Sequence, residues 1–112
     1  MRDIIYSDEY WEYYQKCDKR TQEKLDYLTE IVISVKLIPK KVATKLTNSR
    51  IYELRVSTGN EHRTLLFAVD HQNLNEARKI VFLNSFIKKA TKDYKRQIIK
   101  AEKILEEMLN EL

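Results

Sequence analysis

The sequence predicts an α+β fold in the order β-α-α-β-β-β-α. It should form one domain over residues 1–112, an antiparallel sheet with helices packed on one face. Three observations predict it. Residues 79–87, KIVFLNSFI, place Ile, Val and Phe at consecutive positions, as a strand buried in the middle of a sheet does. Residues 50–69 read as a hairpin, RIYELRV and HRTLLFAV, around the only glycine, Gly59, in STGN. The segments before and after these strands carry apolar residues at helical spacing.

The elements follow in order. Asp3 to Tyr6 is short and apolar, an edge strand. Ser7 is a good N-cap, and Asp8 and Glu9 lie in the first turn, where the helix dipole favours acids. The first helix runs to about Lys16, with Trp11, Tyr14 and Cys17 near Tyr10 on one side. A polar break at residues 18–20 separates it from a second helix capped by Thr21. That helix carries Leu25, Leu28, Val32 and Val35 in one stripe. Pro39 pushes its predecessor out of helical geometry, so the helix ends by Leu37. Residues 36–49, KLIPKKVATKLTNS, are the connection into the sheet. In the first hairpin strand Tyr52, Leu54 and Val56 point one way, and Ile51, Glu53 and Arg55 the other. The last helix begins near Lys92 or Asp93. Its stripe of Tyr94, Ile98, Ala101, Leu105, Met108 and Leu112 can lie on the sheet or on a partner helix. One sheet face should stay free for a ligand.

Composition narrows the function. The 112 residues include one glycine, one proline and one cysteine. That excludes an internal disulfide, a cysteine-based metal site and a glycine-rich phosphate loop. Cys17 reads as a core packer. No HExxH, no CxxC and no nucleophile elbow occurs, so neither a metal nor a cofactor is expected. The first residues lack an apolar signal-like core and no run approaches a membrane span, so a soluble, cytoplasmic protein without membrane contact is expected.

Net charge is +4, unevenly spread. Residues 36–63 and 88–103 each carry a surplus of +5, and residues 64–87 between them are neutral. Residues 1–35 and 104–112 carry −3 each. If the hairpin brings the two basic blocks together, they make one positive face, the footprint of a nucleic-acid binder.

The residues left for chemistry are the cations, the histidines and the tyrosines. Arg55 and Arg63 each lie four residues from Gly59, so a turn centred there sets them side by side. Two adjacent guanidiniums suit a phosphate. Pairing with Glu53 or Glu61 on a solvated face is the ordinary alternative. Lys88, Lys89 and Lys92 follow the buried strand and either grip a polyanion or merely solvate its end. His62 borders Arg63 and, with an ordinary pKa of about 6.5, could serve as a general base, although a strand histidine is more often structural. Tyr94 either stacks on a base or packs in the core.

KLTNSRIYELRVSTGNEHRTLLF, followed by KIVFLNSFIKKATKDYKRQIIKAEKI, resembles the RelE/ParE superfamily of toxins from type II toxin–antitoxin modules. The nearest branch is the HigB-type, phage Gp49-like group. There a Y-E-L-R-V strand, a glycine turn, an Arg-bearing strand and an apolar strand ending F-x-K-K-x-x-K occur in this order. The likeness covers about residues 36–105. It implies a ribosome-dependent, metal-independent mRNA endoribonuclease. Arg55 and Arg63 would bind the phosphate and the transition state. Lys89, and more loosely Lys88 and Lys92, would stabilise charge or supply an acid. Lys41 and Lys45 would hold the RNA backbone.

The chain also departs from the superfamily's pattern. Where some RelE members carry lysines on the strand before the turn, this chain has Ile51 and Glu53, which leaves the general base open. His62 occupies a position that is commonly aromatic, and Tyr94 replaces the proline after the lysines. The implied partners are a cognate HigA-like helix-turn-helix antitoxin, the ribosome and mRNA. Operator DNA would be reached only through the antitoxin. The superfamily's ParE-type members, which poison DNA gyrase by binding, supply the main alternative. An inactive antitoxin-binding module is the other.

Overall fold

A computed structural model describes residues 1–111. The elements are β1 (Asp3–Tyr6), α1 (Asp8–Lys16), α2 (Lys19–Ser34), β2 (Ala43–Lys45), β3 (Tyr52–Thr58), β4 (Asn60–Ala68), β5 (Lys79–Ile87) and α3 (Thr91–Glu111). The α+β class is as expected. The five strands form one sheet in the order β1-β5-β4-β3-β2. β3, β4 and β5 are the antiparallel meander, and β1 joins β5 in parallel at one edge. β2, at the other edge, falls within the segment expected as a connection. Three residues are too few to display alternation, and a lysine-bearing edge strand looks like a loop.

Local chemistry sets the helix ends. The Ser7 hydroxyl accepts from Tyr10 N and donates to the Leu83 carbonyl, tying the start of α1 to β5. The cap of α2 is Asp18 rather than Thr21, and its carboxylate accepts from Thr21 N at 2.8 Å. At the other end of α2 the buried Arg2 side chain donates to the carbonyls of Val32, Val35 and Lys36. Those carbonyls have no partner within the helix.

Helices cover both sheet faces, contrary to the one-face expectation. Tyr10 of α1 and Leu25, Leu28 and Val32 of α2 pack on Leu54, Val56, Leu66, Ile80 and Phe82. On the opposite face Ala101, Ile104 and Leu105 of α3 pack on Ile51, Leu65, Val81, Leu83 and Phe86. The α3 stripe thus lies on the sheet, and Leu112, its last expected member, is outside the described residues. Cys17 is partly buried against the first core, as expected.

One irregularity in the sheet decides where the site forms. Thr64 pairs with Ser85 and Leu66 with Phe82, so β5 holds one more residue than β4 over this interval. The extra residue is a β-bulge, which resets the alternation of the strand. Leu83 and Asn84 both turn toward α3, where the Asn84 amide donates to the side chain and the carbonyl of Gln97. Phe86 then faces α3 as well, three positions after Leu83, and Ser85 faces the other side beside Thr64.

Candidate functional site

The β3–β4 turn centres on Gly59, whose φ of 95° lies in the left-handed region that suits glycine. Its register sets Arg55 directly opposite Arg63. Glu53, two residues before Arg55, lies on the same face of β3, the α3 face. Phe86 pairs with Arg63 from β5, and Tyr94 arrives in the first turns of α3. The Tyr94 ring stands edge-on to Phe86 at 5.2 Å.

These side chains form one network around a buried carboxylate. Glu53 is 4 % exposed. One of its oxygens accepts from Arg55 Nε at 2.9 Å and the other from the Tyr94 hydroxyl at 2.7 Å. Arg63 Nε donates to the same Tyr94 oxygen at 3.0 Å, and Arg63 Nη1 donates to the His62 carbonyl. Arg63 Nη2 lies 3.7 Å from Glu61. Burial, reinforced by the neighbouring Glu53, pushes the Tyr94 hydroxyl up to about 12, so it is protonated at neutral pH. The hydrogen bond from Ser57, then the charges of Arg63 and Lys88, hold the Glu61 carboxyl below its usual range.

The two arginines therefore differ. Arg63 keeps only 7 % of its side chain exposed, whereas Arg55 keeps 44 %. Arg55 spends Nε on Glu53, and among the described residues its two terminal nitrogens hold no hydrogen bond. After β5 Lys88, Lys89 and Lys92 are exposed, and among the described residues none of them makes an ion pair. Lys88 N donates to Glu61 O, which brings the lysine run to the turn end of β4, and Lys88 Nζ lies 5.9 Å from the Tyr94 ring centre. Lys41 joins this end from the far edge: the carbonyl of the next residue, Val42, accepts from Arg55 N. The register thus brings Lys41 and Lys88 toward the Gly59 end of the sheet, the end at which the two arginines pair.

Two residues expected here lie elsewhere. His62 adjoins Arg63 in sequence and so points to the opposite sheet face. There it is 7 % exposed, with Nδ1 2.7 Å from the Tyr13 hydroxyl. Burial lowers its pKa. It lines a cleft of about 310 Å³ with Cys17, Asp18 and Thr21, apart from the arginines. Lys45 pairs with Tyr52 at the far end of β3, where it lines a cleft of about 1060 Å³ with Arg50, Phe67 and His71. In that cleft Arg50 is bound to Glu102 at 2.7 Å. Tyr94, considered for base stacking, is half-buried with its hydroxyl held between Glu53 and Arg63. Glu53 was read only as a partner for the arginines, although alternation already placed it on the face of Arg55. Phe86 was hidden by the bulge.

The fold is that of the RelE toxins. Escherichia coli RelE in a free double arginine-to-alanine mutant form matches with a TM-score of 0.61 and 15 % identity, over 91 % of this chain and 95 % of that one. A chain of the intact E. coli RelBE toxin–antitoxin complex matches with a TM-score of 0.58 and 14 % identity, over 80 % of this chain and 100 % of that one. A family model narrows the class: the phage-derived protein Gp49-like family matches residues 12–106. The chain belongs to that family. No curated protein matches it.

Proposed function

We propose that the protein is the toxin of a type II toxin–antitoxin pair and cuts mRNA on the ribosome. The observation that carries this reading is the half-exposed Arg55, its terminal nitrogens without a hydrogen bond among the described residues, at the end of the sheet to which Lys41 and Lys88 also come. Family membership and the RelE fold support it. In cleavage of this class the RNA's own 2′-hydroxyl attacks the adjacent phosphorus. A bond from O2′ to phosphorus forms and the bond from phosphorus to O5′ breaks. The 2′-proton goes to a base and the 5′-oxygen gains a proton as it leaves. The products are a 2′,3′-cyclic phosphate and a 5′-hydroxyl.

Arg55 would take two phosphate oxygens through its terminal nitrogens. Lys89, with Lys88 and Lys92, would hold the charge that gathers in the transition state and offer a proton to the leaving oxygen. Lys41 would grip the RNA backbone beside them, and Lys45 a more distant segment. Arg63 enters as the buried support of Tyr94 rather than as a phosphate ligand, and His62 does not serve as the base of this site. The partner would be a HigA-like antitoxin that covers the basic edge, and operator DNA would be bound through it. Among the described residues no helix is long and apolar enough to cross a membrane. A cytoplasmic site of action fits a ribosomal target.

Incubating the purified protein with programmed ribosomes tests the reading. Cuts within the mRNA at the decoding site are expected, and about 10- to 100-fold fewer with Arg55→Ala, the scale of loss from one transition-state donor or a misplaced group. Intact message would contradict it. One observation favours a purely binding toxin of the ParE kind: Glu53 already neutralises part of the arginine pair. Inhibition of DNA gyrase by the same preparation, with message intact, would select that alternative.

A further inference from the structure

We propose that Glu53 is a positioning residue of this site: its buried carboxylate aims the Arg55 fork and sets the direction of the Tyr94 hydroxyl. The inference rests on the mRNA-cleavage reading and deepens it. Burying a carboxylate is costly unless it is paired and hydrogen-bonded. Glu53 meets that condition in an informative way. It takes Nε of Arg55 and leaves Nη1 and Nη2, a pair that can meet a phosphate, without a hydrogen bond among the described residues, on a side chain that is 44 % exposed. A free arginine would sample many rotamers. One tied at Nε presents its fork in one place, so less order has to be imposed when the phosphate arrives.

The second oxygen of Glu53 accepts from Tyr94, and that choice orients the rest. With its proton directed at Glu53, the Tyr94 oxygen is turned to accept from Arg63 Nε. Arg63, Tyr94, Glu53 and Arg55 thus form a chain from the buried strand β4 to the exposed edge. Each donor in it is used once. Glu53 is itself a poor proton acceptor for RNA: its side chain is 5 % exposed and both oxygens are occupied. Its effect passes through Arg55 and Tyr94.

A merely structural carboxylate and a positioning one predict different kinetics. Glu53→Gln keeps the shape but removes the charge, so the amide cannot accept from both Arg55 and Tyr94 as the carboxylate does. On programmed ribosomes kcat should fall about 10- to 100-fold, the scale of a misplaced catalytic group. KM should stay level or drop, because the site becomes more cationic toward RNA. Adding Arg55→Lys to Glu53→Gln should cost little more than either change alone, since both disable the same fork.

Unchanged kcat in Glu53→Gln, or additive losses in the double variant, would overturn the inference while wild-type cutting keeps the broader reading intact. Wild-type protein that cuts no message would overturn both. Should Glu53→Gln fail to fold, NMR of the wild type decides. A resolved, slowly exchanging Arg55 Nε–H, assigned by its loss in Arg55→Lys, is expected, and a rapidly averaged Arg55 guanidinium would overturn the inference.

Discussion

Arg63 hides its guanidinium behind Tyr94 and Glu53, whereas Arg55 is half-exposed. The same substitution should therefore read differently at the two positions. Arg63→Ala removes a buried donor from a network that holds a buried carboxylate, and should cost about 2–4 kcal/mol in urea denaturation. Arg55→Ala takes one donor from the buried Glu53 carboxylate, but from its solvent side, where water can replace it, and should cost about 1–2 kcal/mol, with cleavage reduced about 10- to 100-fold all the same. Equal destabilisation by the two would contradict the placement of the network.

His62 supplies a pH signature. Burial lowers its pKa, so the unfolded chain takes up the proton more readily than the folded one. Its stabilising contribution is complete above the unfolded value of about 6.5 and is lost as pH falls through the lower folded value. Urea midpoints should drop between pH 7.5 and pH 5, and His62→Gln should flatten that drop. A histidine whose variant leaves the slope untouched would not be buried as described. The sequence did make part of this legible. Counting from Gly59 placed Arg55 against Arg63, and the same period of two rules out His62 as a neighbour of their side chains. The candidacy of His62 rested on adjacency in sequence, which in a strand means opposite faces.

The elements show where alternation works and where it stops. β5 was located to the residue, because a long apolar run between polar loops has few other readings. What its composition could not show is the bulge at Leu83 and Asn84, since a continuous apolar run carries no parity to break. β2 escaped for lack of length, and the cap of α2 was displaced because Asp18 and Thr21 are both good capping residues. Gly59 is the point on which the hairpin register turns. With φ at 95°, Gly59→Ala should cost about 1–2 kcal/mol, although open space surrounds the position. Thermal unfolding checks this, and an unchanged midpoint would show that the turn is not held in that conformation.

At the scale of the molecule, the expectation of a bare sheet face failed for an identifiable reason. The apolar stripe of α3 fits a sheet and a partner helix equally well, and only the packed structure shows Leu105 and Ala101 closing the second core. Helices thus cover both faces of the sheet, and Arg55 keeps its exposed part beyond the start of α3 toward the Gly59 end. Leu105→Ala should cost about 2–5 kcal/mol, as for other fully buried leucines, and should also loosen Tyr94 from the arginines. Lys41 and Lys88 come to the Gly59 end of the sheet, but Lys45 falls at the opposite end of the hairpin strand.

The most direct test of the central claim maps mRNA 5′ ends in growing bacteria after induction of the wild type and of Arg55→Ala/Lys89→Ala. New ends inside translated codons are expected, dependent on ribosomes and absent in the double variant. Growth arrest by the wild type with no new ends would contradict it.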